Sequence, residues 1–203
     1  MQNEPPRRST SDTPPFMAGR LIIAGAFAAL YLALFFAAAT VMGFVPIVYI
    51  FAPFVLSLVL GPVYMLYVTK IPKRWAIMIL AALTGLLTSM DGFRICLIWS
   101  LALGLAAEFI ARRGTSSKKK LVLSFMVFGC TNMGPAWVLL LAKQRFLDVC
   151  AVYYGQDSAN TLDRLTPWWI IFVFLAMAIA GGFIGGLFGS RILKKHFEKA
   201  GLV

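Results

Sequence analysis

One histidine, eight carboxylates and three cysteines are spread over 203 residues. That scarcity excludes most chemistry. Proteolysis within a membrane needs a Ser–His pair, paired acids or a zinc site inside the apolar segments. The one histidine, His196, lies in the basic C-terminal tail, and Glu108 is the only acid inside an apolar run. Cys96, Cys130 and Cys150 lack metal-ligand spacing. No Gly-rich phosphate loop is present, so this chain does not itself hydrolyse ATP. We expect no enzyme activity, no metal and no cofactor. Charged residues make up 13% of the chain, against roughly 25% for a soluble domain. Strict alternation over strand lengths is missing as well, which argues against a barrel.

What is abundant is apolar sequence, 60% of the chain. It falls into six runs: 21–42, 46–69, 75–90, 95–111, 121–142 and 167–190. A tilted helix needs ~20 residues to cross ~30 Å of hydrocarbon, and backbone groups in lipid must bond within their own segment. The expected fold is therefore all-α, a polytopic membrane protein with six transmembrane helices in a single bundle. The third run is short, at ~24 Å of helix. Pro53 and Pro62 predict kinks in the second. The bundle occupies residues 20–192. Residues 1–19, rich in proline, read as a disordered cytoplasmic segment, and 193–203 as a basic cytoplasmic tail. The first run is too long for a signal peptide.

A net charge of +11 raises the question of nucleic acid. The positive residues flank apolar runs and form no face of their own, so that partner is excluded. With both ends cytoplasmic, fifteen of the nineteen Lys and Arg residues fall inside. Only Arg94, Lys143, Arg145 and Arg164 fall outside, as the positive-inside rule requires. The expected location is a cytoplasmic membrane, crossed several times with both termini cytoplasmic.

The outer ends carry the groups suited to holding a small molecule. "TSMDGFR" sets Asp91 three residues from Arg94. The segment Lys143–Thr166 exceeds the ~12–15 residues of ordinary loops and reads as an interfacial helix acting as a lid. It brings Tyr153 and Tyr154, with Trp168 and Trp169 following; the tryptophans also suit an aromatic belt. In "GCTNMGPAW", Asn132 needs a partner in lipid, and Gly134–Pro135 breaks the bonding pattern. Asn132 reads as an interhelical bond or a substrate contact. Trp99 and Trp137 read as cavity walls or packing. Glu108 suits an i,i+4 pair with Arg112, with a proton relay as the alternative. Gly25, Ala29, Ala33 and Ala37 form a small-residue stripe on the first helix, and Gly181, Gly182, Gly185, Gly186 and Gly189 a second face on the last.

The ending "KKHFEKAGLV" after a Gly-rich helix resembles the C-terminal signature of the Trep_Strep family of bacterial integral membrane proteins. The stretch "GFVPIVYIFAPFVLSLVLGPVYMLYVTKIPKRW" is similar to that family's second-helix region. The resemblance runs from about Arg20 to the end. It implies a substrate-binding S component of an energy-coupling-factor (ECF) importer. Such a component captures a vitamin-like micronutrient outside, then docks on a T subunit carrying two cytoplasmic ATPases. In that scheme Gly25, Ala29 and Ala33 resemble the coupling motif of the first helix, with Ala24–Ala28 as the competing register. The ligand contacts would come from Asp91, Arg94, Trp99, Asn132, Trp137, Tyr153, Tyr154, Trp168 and Trp169. A self-sufficient secondary transporter or half-transporter, or a membrane scaffold or assembly protein, are the competing functions.

Overall fold

The computed structural model describes residues 15–44, 46–71, 74–89, 94–112 and 117–199. In chain order the helices are α1 (Pro15–Gly43), α2 (Pro46–Ile50), α3 (Ala52–Lys70), α4 (Ala76–Thr88), α5 (Arg94–Arg112) and α6 (Lys118–Gly129). A 3-10 turn, Cys130–Met133, leads into α7 (Gly134–Leu141), α8 (Lys143–Tyr154), α9 (Gln156–Leu165) and α10 (Ile170–Lys199). No strand occurs among the described residues, so the helical reading of the sequence holds.

Four helices are long and apolar enough to cross a membrane: Ile22–Met42, Ala52–Lys70, Arg94–Arg112 and Ile170–Leu193. The other two apolar runs differ from single long helices. The third forms only the 13 residues of α4, ~20 Å of helix. The fifth is interrupted. Pro135 has no N–H to donate to the Thr131 carbonyl four residues back. The Gly134 N–H takes that carbonyl instead, and an i→i+3 bond tightens the chain into the 3-10 turn. Proline acts differently in the second run. Helix α3 restarts after Phe51 with Pro53 in its first turn, where a missing N–H costs nothing. Pro62 lies inside α3, which continues past it.

Helix α10 is wedged between α3, parallel to it, and α6, antiparallel. Glycine makes this approach possible. A Cβ on Gly181 would sit 2.5 Å from the Phe54 carbonyl oxygen, and one on Gly182 2.9 Å from the Met126 Cα. One on Gly185 would collide with the Ser57 carbonyl. Without a large hydrophobic driving force between helices in lipid, such backbone proximity supplies the packing energy. Helix α1 is peripheral by comparison. It sets Ala28, Tyr31 and Phe35 against the bundle, yet only 17% of its span is buried, against 61% for α3.

Two apolar clusters result. One surrounds Tyr64, Phe125 and Phe128 and reaches the end where Lys70, Arg112 and Lys118 emerge, the basic end. The other joins Cys96, Met133 and Phe174 to the undersides of α8 and α9, the cap end. The long segment after α7 is thus a helical hairpin with Phe146, Leu147, Cys150, Ala159 and Leu162 buried. Cys150, a free cysteine, is buried in this core.

Candidate functional site

The 3-10 turn at Cys130–Met133 is where the backbone pattern and the polar side chains coincide. A helix interrupted at membrane depth must have its freed groups met by protein or must line a cavity. Some are met. The Trp99 indole N–H donates to the Cys130 carbonyl at 3.0 Å, tying α5 to the break. The Asn132 amide N–H donates to Ser57 Oγ of α3 at 2.9 Å, and the Ser57 hydroxyl donates onward to the Gly129 carbonyl at 3.4 Å. Asn132 is therefore an interhelical bond on its nitrogen side.

Others are not met. Thr131 Oγ1, Asn132 Oδ1 and Trp137 Nε1 are buried without a hydrogen-bond partner. Thr131 and Asn132 are only 6% and 5% exposed. Trp137 packs edge-to-face on Trp99, with ring centroids 5.0 Å apart. The two tryptophans and Asn132 thus gather around one helix break.

Above them lies the α8–α9 hairpin. Gly155 separates its arms with φ +89°, a conformation that glycine adopts without the steric penalty of a Cβ. The Lys143 ammonium, at the start of α8, reaches the Asp163 carboxylate at 2.6 Å. It also donates to the carbonyls of Asp163 (3.1 Å) and Thr166 (3.2 Å). One side chain so fastens the beginning of α8 to the end of α9. A cleft of about 250 Å³ opens beside this clasp, lined by Leu139, Lys143, Thr166, Trp168 and Ile171 among others.

The remaining site residues scatter. Arg94 is exposed at the start of α5, and Asp91 lies outside the described residues. Tyr154 packs edge-to-face on Phe44 at 5.6 Å, joining the hairpin to the end of α1, while Tyr153 is exposed. Trp168 and Trp169 are also exposed, Trp168 within 6.5 Å of Phe172. Of the proposed ligand contacts, the structure brings Trp99 against Trp137, with Trp99 bonded to the 3-10 turn that carries Asn132, and sets Tyr153 beside Tyr154 with ring centroids 6.4 Å apart.

Sequence reading missed Ser57, Thr131 and the Lys143–Asp163 pair. Ser57 interrupts "FVLSLVLGP" and was its only polar signal; Thr131 adjoins Asn132 in a motif already singled out.

Two further features sit away from this locus. Glu108 pairs with Arg112 at 2.5 Å, as its spacing predicts. Its carboxylate also accepts the backbone N–H of Trp75 (3.0 Å) and Ile77 (2.8 Å). It thereby satisfies the first turn of α4, where the left-handed Trp75 (φ 72°) offers no side-chain cap. On α1, Gly25, Ala29 and Ala33 are exposed, with open space around Gly25, whereas Ala28 of the alternative register is buried.

No curated protein and no solved structure matches the chain. Residues 19–199 match the family described as "Hypothetical bacterial integral membrane protein (Trep_Strep)". Four membrane-length apolar helices, a glycine-packed bundle and a match covering nearly the whole chain lead to one conclusion: this protein belongs to the Trep_Strep family of bacterial integral membrane proteins.

Proposed function

We propose that this protein is the substrate-binding S component of an ECF-type importer. It captures a small micronutrient at the cap end and docks through α1 on a T subunit that carries two cytoplasmic ATPases. The observation that carries the reading is the asymmetry of α1. One face, Ala28, Tyr31 and Phe35, seats it on the bundle, while Gly25, Ala29 and Ala33 on another are left uncovered. A small-residue stripe with nothing packed on it suits the close approach of a second membrane helix. The cap end supports the other half of the reading, with aromatic walls and unmet polar atoms beneath a clasped hairpin.

The membrane arrangement belongs to the same proposal. The chain crosses six times, with both termini cytoplasmic and the α8–α9 hairpin outside. The interrupted segment Lys118–Leu141 is long enough for one crossing, at ~36 Å of helix. Short α4 crosses sheltered against α5, its widest contact. Cysteine labelling in intact cells tests the orientation, with low background because all three native cysteines are buried. Asn160→Cys should label from outside and Lys118→Cys should not; the reverse pattern overturns the topology.

The coupling test uses Gly25→Leu with Ala29→Leu. The double variant should purify folded, with the same co-purifying small molecule in native mass spectrometry. It should lose co-purification with the ATPase complex and lose uptake. Wild-type uptake by this variant removes α1 from coupling. Transport by the reconstituted chain alone, without an ATPase, rejects the importer reading in favour of a self-sufficient transporter.

A further inference from the structure

The cleft of about 250 Å³ at the cap end runs between α7 and the start of α10. Ala136, Leu139 and Leu140 stand three and four residues apart, so they share one face of α7. Ile170 and Ile171 of α10 supply the opposite wall. The lining turns polar at Lys143 and Thr166, where the ammonium donates to the Thr166 carbonyl at 3.2 Å. Trp168 and Leu140, which also line the cleft, are 72% and 41% exposed. The cleft therefore opens on apolar surface, and its polar end meets the charged hairpin. In an integral membrane protein that surface meets lipid, and an exposed tryptophan beside a lysine marks the level of the headgroups.

The charge of the cleft has one sign. Lys143 is the one charged residue among the nine that line it, and its partner Asp163 is not one of them. The ammonium directs its three N–H groups to Asp163 Oδ1 (2.6 Å) and to the carbonyls of Asp163 and Thr166. The two carbonyls hold it in place independently of the carboxylate. The carboxylate is exchangeable. The side chains of the pair are 38% and 53% exposed, and a pair so exposed contributes under about 1 kcal/mol. An anionic oxygen arriving along the cleft can replace it with a charge-assisted bond of the same kind. The volume is below the ~300–1,000 Å³ that encloses a whole small molecule, and its apolar walls suit one chain of a larger one. The other apolar depression of this end, between α3 and α10 at Phe54, Phe172 and Met177, has no charged residue in its lining and would not select a headgroup.

We propose that the cleft between α7 and α10 binds an anionic phospholipid of the leaflet that meets the cap end. One acyl chain lies between the two helices, and the headgroup phosphate takes the place of the Asp163 carboxylate on Lys143. An anionic headgroup is preferred to a choline one, which would bring a second cation beside the ammonium. The inference rests on the membrane location alone and stands or falls apart from the importer reading.

The test places full-length protein in phosphatidylcholine nanodiscs with a minor fraction of brominated lipid, either phosphatidylglycerol or phosphatidylcholine. Bromine on the acyl chains quenches tryptophan fluorescence on contact. The quantity read is the part of the quenching that Trp168→Phe removes, which separates the cleft from Trp75, exposed at the basic end. Phosphatidylglycerol should occupy the cleft about two- to fivefold more strongly than phosphatidylcholine, the scale of one exposed ion pair. Lys143→Gln should abolish that preference. Asp163→Asn, which removes the competing carboxylate, should raise it above the wild-type value. Ile171→Phe, which narrows the apolar part, should weaken quenching by both lipids by a similar factor.

Equal quenching by the two lipids in the wild type, or none assignable to Trp168, overturns the proposal. So does a preference that survives Lys143→Gln or fails to rise in Asp163→Asn, and so does quenching unchanged by Ile171→Phe. Loss of the preference on adding soluble glycerol phosphate would assign the cleft to a water-borne anion and overturns it as well. Thermal midpoints show which variants are folded. Should Lys143→Gln fail to fold, the wild-type comparison, Asp163→Asn and Ile171→Phe still decide.

Discussion

The two halves of this bundle treat buried polar groups in opposite ways. At the basic end, the Tyr64 hydroxyl shares a 2.8 Å bond with Ser124, and Ser124 donates to the Ala107 carbonyl at 2.7 Å. The Tyr67 hydroxyl donates to the Ala76 carbonyl at 2.8 Å. Glu108 accepts two backbone N–H groups and the Arg112 guanidinium, while Arg112 reaches on to the Ile71 carbonyl at 3.3 Å. Tyr31, with an unpartnered hydroxyl, is the exception in this cluster. At the cap end, Thr131, Asn132 and Trp137 keep unmet capacity around a broken helix. A saturated network rigidifies; an unsaturated one of similar burial is a place where a ligand gains most from each bond. The contrast sets a half whose buried polar groups are mostly met against one where three of them are not.

The sharpest way to break this comparison is at Glu108. Glu108→Ala leaves the Trp75 and Ile77 N–H groups and the Arg112 charge without their partner, a loss of about 3 kcal/mol or more for a largely buried pair. The thermal midpoint in detergent should drop accordingly, and a change within error would show that the basic end is not the stable half. Next in size is Gly185→Val. Its side chain would meet the Ser57 and Leu58 backbone of α3, which cannot move aside like a flexible side chain. Overpacking of this kind costs about 1–3 kcal/mol. Gly25→Val on the open face of α1 should cost far less in the same assay, and equal losses would contradict the packing of α10.

Smaller still is Lys143→Ala. The pair with Asp163 is substantially exposed, so its contribution to global stability is under about 1 kcal/mol. The informative readout is local: amide exchange in α8 and α9 should speed up severalfold while α3 and α10 stay protected. Unchanged exchange would mean that the hairpin is held by its apolar underside alone. The smallest change is expected from Thr131→Val, a near-isosteric removal of an unpartnered hydroxyl. Without ligand it should be neutral or stabilising by up to about 1 kcal/mol, the opposite sign to Glu108→Ala. A clear destabilisation would show that this hydroxyl is already satisfied and would narrow the contrast between the halves.

Much of this was legible one residue at a time. Apolar length located the four membrane-length helices, because a run near twenty residues has few other uses. The shortness of α4 and the break at Gly134–Pro135 were equally readable, the first from counting and the second from a missing N–H. The helical hairpin at Lys143–Thr166 was read as one lid helix; the division comes from Gly155, whose positive φ shows only once its neighbours are placed. The ligand contacts fared unevenly for the same reason. Trp99 and Trp137 are thirty-eight positions apart along the chain, and only the packing of α5 on α7 makes them neighbours.

By itself, then, the sequence determined that the chain is helical, apolar and basic at alternate helix ends, and that its fifth apolar run breaks at Gly134–Pro135. Those properties follow from periodicity, length and backbone chemistry, which act over a few residues. Tertiary structure decided what faces what. Only it showed that Asn132 bonds to Ser57 across the bundle, that Glu108 completes the start of a different helix, and that α1 presents Gly25, Ala29 and Ala33 outward with Ala28 turned in. The physical reason is that burial and hydrogen-bond satisfaction depend on neighbours distant in the chain, and those neighbours are set by how closely the glycines of α10 let α3 and α6 approach.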